Sequence, residues 1–224
     1  MNDQGAQNDG VEPEILLVDT NCFLRIYHSP LRPFLGTVVQ GFKILTLSTL
    51  IDEFRNSDRL MREYAWLDKD LAREEAAGAA LAPLNAQDKA EFDQLMLGLR
   101  PYAESVLQSY CREKDIGVRS LSWRDLTLLA VAAVLRATVA SDEWPLTLVA
   151  DRLSEPDEEA DDDEYEVPVI TSIDLLHMLE TDGKLNAKDR RDTVTSWLRS
   201  GEMLPRRWAD RYQELFNERA PQLQ

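Results

Sequence analysis

A chain of 224 residues, 44% of them hydrophobic and with a formal net charge of −16, has the size and apolar content of one large domain or a domain with an elaboration. So negative a balance argues against a general nucleic-acid coat, because affinity for phosphate is built from Lys and Arg. No apolar run reaches the roughly 20 residues of a membrane helix. Cys22 and Cys111 have neither metal-site spacing nor a disulfide framework, so a reducing cytoplasm is the expected compartment.

Residues 1–12 are polar, lack the basic and apolar regions of a signal peptide, and read as a disordered leader to a single domain over 13–224. Ile15 to Val18 form a continuous apolar block, the pattern of a buried strand in a parallel sheet. Asp19 and Asn21 follow at its C-terminal end, the edge at which open α/β sheets bind ligands; capping of the next helix explains Asp19 as well. Cys22, beside an apolar helix start, suits the core. KILTL, residues 43–47, is a second strand, and Ser48 is expected to cap a helix through residue 67. A second helical stretch from Ala86 to Lys114, interrupted at Pro101, makes a helical hairpin inserted over about 55–118, with Gly78 and Pro83 at its turn. The apolar helix SWRDLTLLAVAAVLRA begins at Ser122, and residues 138–141 supply a third strand. WPLTLVADRL reads as a strand ending at Asp151 or as a helix. Pro145 in the first turn and the spacing of Leu146, Val149 and Leu153 favour the helix. VPVIT, 167–171, is the fourth strand, Ser172 is expected to cap the next helix, and two more helices follow near 187–200 and 205–219. The expected fold is α/β and three-layered, with a short parallel sheet of about four strands.

Charge is uneven along this chain. Residues 155–166 hold nine acids and no base, and without them the net charge is −7. They read as a solvated acidic loop. Between Lys184 and Arg211 eight bases face four acids. Lys188, Arg191, Arg199, Arg206 and Arg207 are the candidates for meeting a polyanion; salt bridges to neighbouring acids would explain them equally.

Four acids occupy equivalent places, each just after a strand or near a helix start: Asp19, Glu53, Asp125 and Asp142. Carboxylates gathered at one sheet edge repel one another unless a cation neutralises them. Oxygen-only ligands favour Mg²⁺ or Mn²⁺, and such ions orient a water and lower its pKa. Each acid also has an ordinary role open to it. Asp125 completes a Ser-x-x-Asp cap, Asp52 has the same claim as Glu53, and Asp142 shares an acidic turn with Glu143.

VDTNCFLR resembles the opening motif of PIN-domain nucleases, LSTLIDEF their second motif with Glu53 as its acid, SWRDLTLLAVAA the third with Asp125, and VASDE the fourth with Ser141 and Asp142. Asp125 and Asp142 lie 17 residues apart, which fits the one helix and one strand that separate these motifs in the family. The resemblance covers most of 14–54 and 119–186, but not the hairpin or the acidic loop. It implies a PIN-like fold and a Mg²⁺- or Mn²⁺-dependent ribonuclease, with Asp19, Glu53, Asp125 and Asp142 as catalytic metal ligands supported by Asn21, Thr171 and Ser172. The family includes toxins of bacterial toxin–antitoxin pairs. The implied partners are therefore an RNA substrate, an antitoxin or other protein, and a second copy of the chain, with no membrane. The alternative is a catalytically weak PIN-like binding module that docks a basic protein. A haloacid-dehalogenase-type phosphatase is set aside, because its second aspartate would fall on Asn21.

Overall fold

The computed structural model describes residues 12–27, 29–56, 62, 69–70, 72–73, 77–81, 84–154 and 166–222. The leader over 1–11, His28, most of the first arm of the expected hairpin and the acidic stretch over 155–165 lie outside the described residues. So does the side chain of Glu53.

β1 (Glu14–Val18) is the central strand, and its Leu16, Leu17 and Val18 have no exposed surface. A strand with neighbours on both edges and helices on its faces has no water to face, so its apolar block is continuous rather than alternating. α1 (Thr20–Tyr27) leads away from it. A short antiparallel strand, β2 (Val38–Val39), turns into β3 (Phe42–Leu47), which runs parallel to β1 with Leu17 opposite Leu45. α2 (Ser48–Asn56) follows. β4 (Ala80–Leu81) pairs in parallel with the C-terminal end of β3.

The chain then builds α3 (Ala86–Glu113) and α4 (Trp123–Leu135) before returning to the other edge of β1 as β5 (Thr138–Ala140). Val18 lies opposite Ala140. α5 (Trp144–Leu153) leads to β6 (Val169–Ile170), beside β5. α6 (Ser172–Thr181), α7 (Ala187–Arg199) and α8 (Trp208–Phe216) complete the chain. The sheet order is β2-β3-β1-β5-β6, with β4 also on β3, and every pairing except β2–β3 is parallel. This is an α/β fold compatible with three layers. α4 lies on β1 and β5 and is backed by α3, which also packs on α5. α6 packs against α7 and α8, and the Trp197 indole N–H of α7 donates to the Arg25 carbonyl of α1 at 3.1 Å.

Several expectations need correction. Among the described residues the sheet has six strands rather than about four, because β2 and β4, of two residues each, carry too little pattern to be read. β4 also places a strand inside the region expected to be a purely helical insertion. Pro101 does not interrupt α3, which runs through it. Proline removes a hydrogen bond to the carbonyl four residues earlier. Pro101 and Leu97 both lie on the exposed side of α3, so the lost hydrogen bond falls on the face open to solvent. Met96, Leu99, Ala103, Leu107 and Cys111 keep a continuous buried stripe on the other side. Ser48 belongs to α2 itself. Thr171, not Ser172, caps α6, in a capping box with Asp174.

Candidate functional site

The order of connections fixes where a site can form. From β1 the chain crosses to β3 on one side, and from β5 it crosses to β6 on the other. The crevice beyond the C-terminal ends of β1 and β5 is therefore a topological switch point, the usual ligand position in open α/β sheets. The ladder continues one residue past each strand. Asp19 N–H donates to Ala140 O at 3.1 Å, and Ser141 N–H donates to Ile170 O at 2.9 Å. Asp19 and Ser141 are thus held by the sheet rather than by loops.

Asp19 is buried. Its Oδ1 accepts the Cys22 N–H at 2.6 Å, which caps α1, and its Oδ2 accepts the Ser141 hydroxyl. Burial pushes its pKa up, against the hydrogen bonds from Ser141 and Cys22 and the charge of Arg25. The Cys22 thiol is raised well above its ordinary value by burial and by the Asp19 charge. It is a protonated core thiol rather than a nucleophile.

Asp125 occupies the third position of a capping box. Its Oδ2 accepts the Ser122 N–H at 2.8 Å, while its own N–H donates to Ser122 Oγ at 3.2 Å. Glu143, the residue after Asp142, is half-buried. Its pKa is pushed up to about 7 by burial first, then by the charges of Asp125 and Asp19. The Asn21 amide donates to Glu143 Oε1 at 2.7 Å and opposes that rise. Asp19, Asp125 and Glu143 therefore form the electrostatically coupled acidic group at this edge.

Asp142 is committed elsewhere. Its Oδ1 accepts the Ser172 N–H at 2.8 Å, its Oδ2 accepts the Ser172 hydroxyl at 2.7 Å, and it forms an ion pair with Arg25. Both side chains of that pair are 4% exposed. Two neighbouring residues leaving β5 thus point to different partners. Glu53 lies in α2, and its side chain is outside the described set. Asp151 is exposed in the last turn of α5. Of the expected supporting residues, Asn21 touches Glu143 and Ser172 touches Asp142, whereas Thr171 is engaged with Asp174. Glu143 and Arg25 went unassigned in the sequence. Glu143 stands beside Asp142 in the same motif, but nothing local distinguishes the two.

A cleft of about 420 Å³ opens beside this group, with Asn21, Arg25, Asp142 and Glu143 on its wall. Arg119 and Arg206 also reach it, and the Arg206 guanidinium sits 5.5 Å from the Trp144 ring centroid. The other four basic candidates do not line it. Lys188 and Arg199 are exposed on α7, Arg191 pairs with Glu218 at 3.4 Å, and Arg207 pairs with Asp210 at 3.0 Å. Among the described residues, no three His, Cys, Asp or Glu side chains are grouped to hold a metal ion. Asp19, Asp125 and Glu143 offer only oxygen donors, which would suit a hard divalent cation rather than a softer metal.

Fold and site together define an α/β protein with an acidic centre at the switch point of a mostly parallel sheet. In comparisons with known proteins, no family model, no curated protein and no solved structure matches the chain.

Proposed function

We propose that this chain is a PIN-like, metal-dependent nuclease that hydrolyses RNA phosphodiester bonds. The observation that carries the reading is the placement of Asp19 by the sheet at the switch point, near a half-buried Glu143 whose pKa is pushed up to about 7 by burial first and then by the charges of Asp125 and Asp19. Acids are kept in such conflict where a cation is to be bound. The four motifs that resemble the PIN family, in the family's order along the chain, support it.

In this reading Asp19, Asp125 and Glu143 would hold Mg²⁺ or Mn²⁺, with Glu53 of α2 as a fourth candidate, and the metal would supply a water of lowered pKa and charge compensation for the phosphodiester oxygens. The rest is done by the protein. Ser141 and the Cys22 N–H fix the Asp19 carboxylate. Asn21 orients Glu143. The ion pair of Asp142 with Arg25 anchors the turn that carries Glu143.

The test is cleavage of a fluorogenic single-stranded RNA by purified protein in Mg²⁺, in Mn²⁺ and in EDTA, beside Asp19→Asn. Asn keeps an acceptor for the Cys22 N–H but removes the charge. The expected result is metal-dependent cleavage that falls at least about 100-fold in Asp19→Asn, with the circular dichroism spectrum unchanged. Equal activity in Asp19→Asn, or no cleavage in either metal, rejects the enzyme in favour of the module that docks a basic protein. A toxin role is the narrower form of the proposal. Growth arrest on expression, relieved by the product of the adjacent gene, tests it.

A further inference from the structure

Arg25 is an unusual residue to bury. It lies in α1 with its side chain 4% exposed, yet it forms part of the cleft wall. Nη2 donates to the Met203 carbonyl at 2.5 Å, and Nη1 is ion-paired with Asp142. Nε has no hydrogen-bond partner among the described residues. Glu202 Oε2 stands 3.6 Å from it, beyond hydrogen-bonding reach. A buried guanidinium donor left without an acceptor is costly, and an acceptor that arrives on binding would relieve that cost.

Glu202 reaches this position from the turn after α7. Gly201, at φ +75°, adopts a left-handed conformation that reverses the chain. The turn brings Glu202, Met203 and Leu204 onto the cleft. Across from them are Arg119, exposed on the loop before α4, and Arg206 beside Trp144. Three arginines thus face three acids, Asp142, Glu143 and Glu202. Asp142 is fixed by Ser172 and Glu143 by Asn21, whereas Glu202 is partly exposed and loosely held. The N-terminal turn of α5, which has no side-chain cap, adds its positive end through Trp144 and Pro145. Exchanging Glu202 for one phosphodiester preserves the charge balance and offers Arg25 Nε an anionic acceptor for a charge-assisted hydrogen bond.

We propose that this cleft is a phosphodiester subsite, in which Glu202 occupies in the free protein the place taken by a nucleic-acid backbone phosphate on binding. The inference rests on the nuclease reading for its choice of ligand, but its test does not require cleavage. The probe is a ten-nucleotide RNA with a 5′-hydroxyl, followed by fluorescence anisotropy in EDTA across a salt series. Glu202→Gln, which removes the competing charge, should tighten binding on the order of fivefold. Arg119→Gln and Arg206→Gln, both at exposed positions, should each weaken binding and reduce the salt slope by about 0.7. Unchanged affinity in Glu202→Gln together with unchanged slopes in both arginine variants overturns the subsite. A Glu202→Gln effect seen only with a 5′-phosphorylated RNA, or matched by inorganic phosphate, replaces the backbone phosphodiester by a terminal phosphate and also overturns it as stated. If Glu202→Gln tightens binding while no metal supports cleavage, the subsite stands and the nuclease reading falls. Cleavage with no effect in Glu202→Gln or in either arginine variant gives the reverse.

Discussion

Replacing Asp142 by Asn separates an acid held in a buried ion pair from the acids proposed to hold a metal. The side chain exchanges a carboxylate for an amide of the same shape. Oδ1 still accepts the Ser172 N–H, so the attachment to α6 survives in part. What disappears is the counter-charge of Arg25, at a pair whose side chains are each 4% exposed. Removing one partner of a buried pair costs about 3–5 kcal/mol, because the remaining charge is left uncompensated. Glu202, 3.6 Å from Nε and 30% exposed, offers partial relief, so the low end of that range, about 3 kcal/mol, is expected. For a chain of this size that lowers the thermal midpoint by about 6–12 °C. Arg25→Met should cost less, about 2 kcal/mol, because the Asp142 carboxylate it leaves behind keeps both Ser172 donors. The double variant should cost less than the two combined, by about 1–3 kcal/mol. Urea unfolding gives the stabilities, and calorimetric titration with Mn²⁺ gives the metal affinity, which Asp142→Asn should leave within a few-fold of wild type. A variant as stable as wild type that no longer binds Mn²⁺ would refute the reasoning and assign Asp142 to the proposed metal site.

Glu143→Gln should do the opposite, weakening Mn²⁺ binding while raising stability at neutral pH. The folded-state pKa of Glu143, about 7, lies above the ordinary 4.5. Below pH 4.5 the group is protonated in both states and has no effect. As pH rises from 4.5 to about 7 the unfolded chain ionises first, so stability falls, and above 7 the loss is constant. The full interval corresponds to ~3 kcal/mol, which solvent screening of a half-buried group reduces to about 1–2 kcal/mol. Metal-free urea titrations at pH 5 and pH 8 should therefore show a decline in wild type that is smaller in Glu143→Gln; equal declines count against the coupled cluster. Tyr212→Phe should cost about 1–3 kcal/mol, since its hydroxyl accepts from the buried Arg190 Nε at 2.9 Å and donates to Glu218 at 2.8 Å. A loss below 0.5 kcal/mol in urea unfolding would show that this contact does not hold the C-terminal helices. Arg207→Glu should leave RNA affinity and its salt slope unchanged, because Arg207 pairs with Asp210 away from the cleft that Arg206 lines; a flattened slope would extend the binding surface onto α8.

Much of the fold is written locally. The apolar block at 15–18, Pro145 in the first turn of α5 and the Ser122–Asp125 box are each decided by residues within one or two turns, so pattern and capping chemistry are enough to read them. The placement of Asp19 at a C-terminal sheet edge follows in the same way, because a buried strand followed at once by a helix leaves its first polar residue there. Tertiary structure decided what depends on partners distant in sequence. β2 and β4 exist because β3 offers an edge to pair with, and their own two residues carry no signal. Pro101 is tolerated because α3 turns its weakened point toward water. Asp142 and Glu143 are chemically alike and adjacent. Their roles diverge because Arg25, 117 residues before Asp142, is buried against one of them, and Asn21 with the charges of Asp19 and Asp125 surrounds the other. A buried cation needs a buried anion, and which acid answers it is settled only when α1, β5 and α6 meet.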